Sequence, residues 1–397
     1  MQERIALTGN EAMALALKQI NPDVVAAYPI TPATEIVQLF SSYAANGMVK
    51  TEFVAVESEH SALSAVLGAS AAGARALTAT SSQGLAYMFE VLYIAASYRL
   101  PLVMPVVNRA LSGPINIHGD HSDSMGVRDA GWIQIYAEDT QEAYDNLIQA
   151  VRIAEDPAVQ LPVMVCIDGF IISHALENLE IMADEKVQEF VGPFTPRRPS
   201  LLDLDHPVTV GPLALFDYYM EIKRGQAEAM RKAKPVIKEV GQEYGRWSGR
   251  KYSFLEPYQL AEAEIAVVVL SSTAGTTRVV VDELRQQGIR AGLLKPRVYR
   301  PFPQQEIKAA LGHLKAIAVL DRADSFDGFG GPLYKDIRAA LYEVPDRPRI
   351  INYIFGLGGR DVGLDDIRSV YDDLAQVAAG EAPEFSIRYL GVREEAL

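Results

Sequence analysis

Val24-Val25-Ala26-Ala27-Tyr28-Pro29-Ile30-Thr31-Pro32 is the stretch from which the rest of the chain can be placed. Four apolar or small residues run into Tyr-Pro-Ile, a pattern that predicts a buried strand over Val24–Ile30. Thr31 then stands where a helix N-cap would, with Pro32 at the first helical position, where a missing N–H costs nothing. Ile36, Val37, Leu39 and Phe40 continue at helical spacing, which predicts a helix over Pro32–Tyr43. A strand running straight into a capped helix leaves free backbone N–H groups and a hydroxyl at its carboxyl end, a combination that suits an anion. Taken alone, the segment reads as a cap before it reads as a binding site.

Short apolar runs alternate with helical patterns on both sides of it, the signature of parallel βαβ units. Strands are predicted over Phe53–Val56, Ala76–Thr80, Leu102–Val107, Trp132–Tyr136 and Val163–Ile167, and helices over Asn10–Gln19, Glu59–Gly73, Leu85–Tyr98 and Thr140–Glu155. The helix from Glu59 is rich in Ala and Gly, which permits close approach to a sheet, a helix or a ligand. Beyond about residue 190, Pro193, Pro196, Pro199, Pro207 and Pro212 mark turn-rich chain. A polar, basic helix over Asp217–Gln242 follows, which Pro235 is expected to break or kink. From Ile265 a second αβ pattern begins: strands Ile265–Leu270, Arg290–Lys295, Ala316–Asp321 and Arg349–Phe355, with helices Thr277–Gln287 and Gln305–Leu311. The expected domains are therefore 1–257, with a Pro-rich and helical extension from about 190, and a smaller 258–397.

Polar groups fall at three predicted strand ends: Thr31, Ser81-Ser82-Gln83-Gly84 and Asn108-Arg109. In open parallel sheets that edge binds ligands. Arg109 can grip an anion with two parallel donors. The loop after it, Ser112 to Asp123 with Asn116 at its middle, is glycine-punctuated and polar, and long enough to be a lid. Glu59 opens its helix after Ser58, and spacing alone makes it a first-turn carboxylate facing the helix dipole.

The totals exclude several classes. Among 397 residues, 49% are hydrophobic and 22% charged, which predicts a packed core. A net charge of −14 argues against nucleic acid or an anionic membrane as partner. The one cysteine, Cys166, excludes an internal disulfide framework, a cysteine-ligated zinc site and any iron–sulfur cluster held by this chain alone. The six histidines have no metal-ligand spacing. With no apolar run long enough to span a membrane and no signal-peptide pattern, a cytoplasmic protein is expected.

Several motifs occur in order: Tyr28-Pro29-Ile30-Thr31-Pro32, Glu57-Ser58-Glu59-His60, Thr80-Ser81-Ser82-Gln83-Gly84, Asn108-Arg109-Ala110-Leu111-Ser112, Gly119-Asp120-His121-Ser122-Asp123 and Arg128-Asp129-Ala130-Gly131-Trp132. Later come Leu294-Lys295-Pro296-Arg297, Phe329-Gly330-Gly331-Pro332 and Gly356-Leu357-Gly358-Gly359-Arg360-Asp361. Together they resemble the alpha subunit of pyruvate:ferredoxin oxidoreductase and related 2-oxoacid:ferredoxin oxidoreductases, over nearly the whole chain. The resemblance implies an α/β fold: a parallel-sheet, pyrimidine-type thiamine-diphosphate domain followed by a smaller domain like the transketolase carboxyl-terminal one. It implies oxidation of a 2-oxoacid with coenzyme A to acyl-CoA and carbon dioxide, the electrons passing through [4Fe-4S] clusters to ferredoxin.

On that resemblance the cofactor is shared. A beta subunit holds the diphosphate and Mg2+, gamma/delta-type subunits complete the complex, and the clusters lie on partner chains. Gly119-Asp120-His121 lacks the closing Gly and the downstream Asn-Asn of a thiamine-diphosphate metal motif, which agrees with that division. Glu59 would face the aminopyrimidine, with Tyr28, Pro29, Ser82 and Gln83 around the cofactor. Thr31, Arg109 and Asn116 would bind the substrate. Thr31 favours a pyruvate-like acid over doubly charged oxalate, while the loop after Arg109 leaves 2-oxoisovalerate and 2-oxoglutarate open. A subunit of a non-redox thiamine-dependent transferase and a non-catalytic scaffold are the other classes.

Overall fold

The computed structural model describes residues 3–197, 200–381 and 386–393; Pro199 lies outside them. A seven-stranded sheet runs in the order Val298–Arg300, Ile133–Tyr136, Val163–Asp168, Val103–Asn108, Ala76–Leu77, Val24–Ala27, Glu52–Ala55. All its pairings are parallel except that of Val298–Arg300, which adds antiparallel to Ile133–Tyr136. Val103–Asn108 and Val163–Asp168 are buried at every position, because helices cover both faces. Val103 and Val107 pack into a core with helices Gly9–Ile20, Thr140–Glu155 and Tyr219–Ser248. Met104 and Val106 point the other way, toward Glu59–Ala71 and Phe89–Ser97.

A second sheet has the order Ile387–Tyr389, Arg349–Ile354, Ala316–Asp321, Ile265–Val269, Ala291–Pro296, Leu255–Tyr258, with only the last strand antiparallel. The core around Leu63 and Met104 continues into this half through Leu294, Tyr299 and Leu333. A separate cluster with Val267, Leu320 and Tyr371 covers the far face. Between the halves sits Lys295, 1% exposed, with its Nζ 2.7 Å from Glu138, 2.8 Å from Glu142 and 2.7 Å from Glu256. Burial works against its charge, but the three carboxylates outweigh it and raise its pKa above the usual lysine value.

Several sequence readings differ from the structure. The first strand stops at Ala27, and Thr80 contributes only an isolated bridge to Val106. The helix expected over Leu85–Tyr98 is two, Ser82–Tyr87 and Phe89–Ser97, joined at Met88. The strands Glu3–Thr8 and Leu176–Ile181, which pair antiparallel outside both large sheets, carry no sequence signal because neither shows a clean apolar alternation. Pro235 neither breaks nor ends its helix, which runs from Tyr219 to Ser248. The proline is on the exposed side, where water can serve the carbonyl it leaves free, and Ala233, Ile237 and Tyr244 clamp the opposite face.

Asp321 ends its strand fully buried, accepting from the backbone N–H groups of Leu333 (2.7 Å) and Tyr334 (3.0 Å) and from Asn352 Nδ2 (2.9 Å). Burial nevertheless pushes its pKa up to about 7. A carboxyl whose pKa is higher folded than unfolded favours the folded state at low pH. That contribution is lost as pH rises from about 4, the unfolded value, through about 7. The melting temperature of Asp321→Asn is therefore expected to fall less than that of the parent between pH 5 and pH 8; an identical fall in both would contradict this.

Candidate functional site

The carboxyl ends of the first sheet's strands bring the polar groups together. After Ala27 the chain turns through Tyr28 and Pro29, both exposed, to a cis Thr31–Pro32 peptide. The following helix is Thr34–Ala45, its N-cap is Ala33, and no side chain caps it. Thr31 is therefore not the cap expected of it. The turn closed by Ala33 N–H on the Ile30 carbonyl (2.8 Å) takes up the intervening residues, and Asn10 Nδ2 pins the Pro32 carbonyl at 2.9 Å. The Thr31 side chain is exposed and its hydroxyl has no hydrogen-bond partner among the described residues.

Arg109 follows the fully buried strand Val103–Asn108 and is itself 6% exposed. Its Nη1 donates to the Thr31 carbonyl at 2.9 Å and its Nε to the Asn116 carbonyl at 2.8 Å. No described carboxylate forms an ion pair with the guanidinium. Burial lowers its pKa and Asp123 opposes that, so the charge is held where water is scarce. Thr31 and Arg109, far apart in sequence, are thus adjacent. Asn116 joins them by its backbone only: its Nδ2 donates to the Gly358 carbonyl (3.0 Å) and its Oδ1 accepts from His118 N–H (2.7 Å).

That loop is fastened at more points. Asp120 accepts from Gly358 N–H at 3.0 Å, His121 N–H donates to the Arg322 carbonyl at 2.8 Å, and His121 Nε2 lies 2.7 Å from Asp168 Oδ1. Asp168 also takes Arg322 Nη1 at 2.9 Å and the Ser272 hydroxyl. Burial alone would raise the Asp168 pKa, but Arg322 and His121 hold it well below the usual carboxylate range. The segment expected to be a lid is stapled to the second half of the chain. Gly358, at φ +60°, approaches Asn116 too closely for a side chain.

Glu59 is the first residue of its helix, and the capping is done by Ser58, whose hydroxyl accepts from Ser61 N–H at 3.2 Å. Glu59 is only 8% exposed, and its carboxylate makes no hydrogen bond or ion pair with any described residue. Its neighbours explain the room around it. A Cβ on Gly84 would lie 2.8 Å from Glu59 Cγ and 2.9 Å from Oε1, and would also strike the Thr80 hydroxyl. The Thr80 and Ser81 hydroxyls are fully buried with no hydrogen-bond partner among the described residues. Ser82, at φ +46°, donates through Oγ to the Ala110 carbonyl (2.6 Å), and Gln83 bonds to Ser112. A buried carboxylate beside idle hydroxyls, on a floor kept bare by glycine, fits a ring nitrogen that must share a proton. Among the described residues no group of three or more His, Cys, Asp or Glu is placed to hold a metal.

Residues 15–242 match the family model described as pyruvate flavodoxin/ferredoxin oxidoreductase, thiamine-diphosphate-binding, and residues 263–367 that of pyruvate:ferredoxin oxidoreductase core domain II. The chain belongs to the pyruvate:ferredoxin oxidoreductase family. Pyruvate synthase subunit PorA of Thermotoga maritima is 56% identical over 392 residues, covering 99% of each chain. The PorA of Methanocaldococcus jannaschii is 46% identical, again over 99% of both. Within the family, ketoisovalerate oxidoreductase subunit VorA of Pyrococcus abyssi is 44% identical over 94% of this chain and 93% of its own. Among solved structures, a 2-oxoglutarate:ferredoxin oxidoreductase from Magnetococcus marinus superposes with a TM-score of 0.70 at 22% identity, over 95% of this chain and 66% of that one. A split-gene transketolase superposes at 0.56 with 13% identity, over 94% and 98%. These two likenesses concern the fold.

Asp123, Asp168, Thr80 and Gly84 lie against these residues, and the sequence alone assigns them no role of their own. One signal was available for Asp168. It ends an apolar strand at the same sheet edge as Arg109, so the strand-end rule applied to Thr31 and Arg109 covers it too.

Proposed function

We propose that the chain is the alpha subunit of a multi-subunit pyruvate:ferredoxin oxidoreductase, converting pyruvate, coenzyme A and oxidised ferredoxin to acetyl-CoA, carbon dioxide and reduced ferredoxin. The observation that carries this reading is the unpartnered buried carboxylate of Glu59 at the sheet edge where Arg109 lies beside Thr31. The pyruvate synthase relatives supply the substrate. On this reading residues 1–257 cover the aminopyrimidine and 258–397 serve assembly, the protein working in the cytoplasm; no helix among the described residues is long and apolar enough to cross a membrane. A beta subunit supplies the diphosphate and Mg2+ site, gamma/delta-type subunits complete the complex, and partner chains carry the [4Fe-4S] clusters that this single-cysteine chain cannot ligate alone.

Thiamine diphosphate, when bound, supplies the nucleophilic carbon and the electron sink for decarboxylation. The chain's own residues prepare the ground for it. Glu59 would turn its carboxylate to the pyrimidine ring nitrogen and share a proton there. Tyr28, Pro29, Ser82 and Gln83 wall the site. Arg109 grips the oxoacid carboxylate, with Asn116 steadying it through its carbonyl. Thr31 offers its free hydroxyl to the oxo oxygen, where negative charge develops.

The division of labour between Arg109 and Thr31 is testable in the assembled complex. Arg109→Lys keeps the charge but loses the planar fork, so KM for pyruvate should rise by about tenfold or more. Thr31→Val keeps the shape without the hydroxyl, so kcat should fall by ~10² with KM little changed. Parent-like constants for both variants would place the substrate elsewhere.

A further inference from the structure

We infer that Asp123 is a positioning residue for the oxoacid site, locking Arg109 and the Ser82–Gln83 turn into one rigid unit. The inference rests on the reading of Arg109 as the carboxylate ligand and assigns a role to a residue behind it. Asp123 is 2% exposed, so it touches no substrate. Its Oδ2 accepts the backbone N–H groups of Ser82 and Arg109, each at 2.9 Å. Its Oδ1 accepts Asn108 Nδ2 at 2.8 Å and Ser124 N–H at 2.7 Å. One carboxylate thus ties together two strand ends just beyond their last sheet bond, Val107 N–H to the Thr80 carbonyl at 3.1 Å.

The geometry makes the tie directional. Ser82 sits at φ +46°, a left-handed conformation that serine adopts only when its surroundings impose it. Its N–H is held by Asp123 and its hydroxyl donates to the Ala110 carbonyl at 2.6 Å, so Ser82 is gripped twice, by Asp123 and by the residue after Arg109. Asn108 extends the anchor inward through Ser124 Oγ at 2.8 Å, which in turn bonds the buried Tyr136 hydroxyl at 2.8 Å. A neutral amide cannot replace the carboxylate. Three of the four neighbours are backbone N–H groups, two facing Oδ2 and one facing Oδ1, so whichever way an asparagine turns, its NH2 faces at least one fixed donor. Burial raises the Asp123 pKa to about 6, so both oxygens remain acceptors at neutral pH.

The test compares Asp123→Asn, Arg109→Lys and the double variant in the reconstituted complex, measuring kcat and KM for pyruvate. Asp123→Asn should raise KM by about tenfold to hundredfold with a smaller change in kcat. The double variant should be within about twofold of the worse single one, because both changes disable the same grip. A KM that multiplies in the double variant, or a parent-like KM with only a lowered melting temperature, overturns the inference and leaves Asp123 a core residue. If Arg109→Lys alone leaves KM unchanged, the reading of Arg109 fails and the inference with it. Should Asp123→Asn not assemble, Asn108→Ala removes one donor from the opposite oxygen; a smaller rise in KM, again non-additive with Arg109→Lys, is expected, and an unchanged KM overturns the proposal.

Discussion

Glu59→Gln in the assembled complex is expected to lower turnover by ~10²–10⁴, the scale of general acid–base help, with the complex intact and its melting temperature nearly unchanged. The substitution preserves volume but removes the charge and the ability to hold or share a proton. Ser58 already caps the helix, so the capping role does not depend on Glu59. If Glu59 merely favours the helix dipole, turnover stays intact and about 0.3–1 kcal/mol of stability is lost instead. Turnover set against melting temperature separates the two outcomes.

The second large effect belongs to Lys295. Lys295→Met leaves Glu138, Glu142 and Glu256 facing one another around an apolar side chain, with Arg278 still paired to Glu138 and Glu256. Breaking a buried ion cluster by removing one member costs about 3–5 kcal/mol. Chemical denaturation of the variant should show a loss on that scale, and adding Glu142→Gln should recover part of it. A loss under about 1 kcal/mol would mean that the cluster behaves as a solvated surface group. Because Glu138 and Glu142 come from the first half of the chain and Lys295 from the second, the same variant should loosen the joint that fastens the Asn116 loop to Gly358.

The central parallel strands are legible because full burial on both faces leaves a short uninterrupted apolar run, as in Val163–Ile167. The helix Thr140–Glu155 was legible to the residue: Asp139 caps it and Asp156 ends it. Thr31 shows where such reading stops. Local signals placed an N-cap before Pro32, but the turn is set by Asn10 and Arg109, which hold the Pro32 and Thr31 carbonyls from elsewhere in the chain. Pro235 shows the same limit in reverse, since a buried face on one side of the helix outweighs a local breaker. Asp123 and Gly84 stayed invisible as supports because their importance lies in what they touch, not in the residues beside them.

The central claim is tested most directly by co-expressing the chain with its complex and offering pyruvate, 2-oxoisovalerate and 2-oxoglutarate, each with coenzyme A and a ferredoxin or dye acceptor. The account expects coenzyme A-dependent acceptor reduction that is fastest with pyruvate, with acetyl-CoA and carbon dioxide formed in equal amounts. Faster turnover of another oxoacid would contradict the choice of substrate, and pyruvate consumption without acceptor reduction would contradict the redox reaction itself.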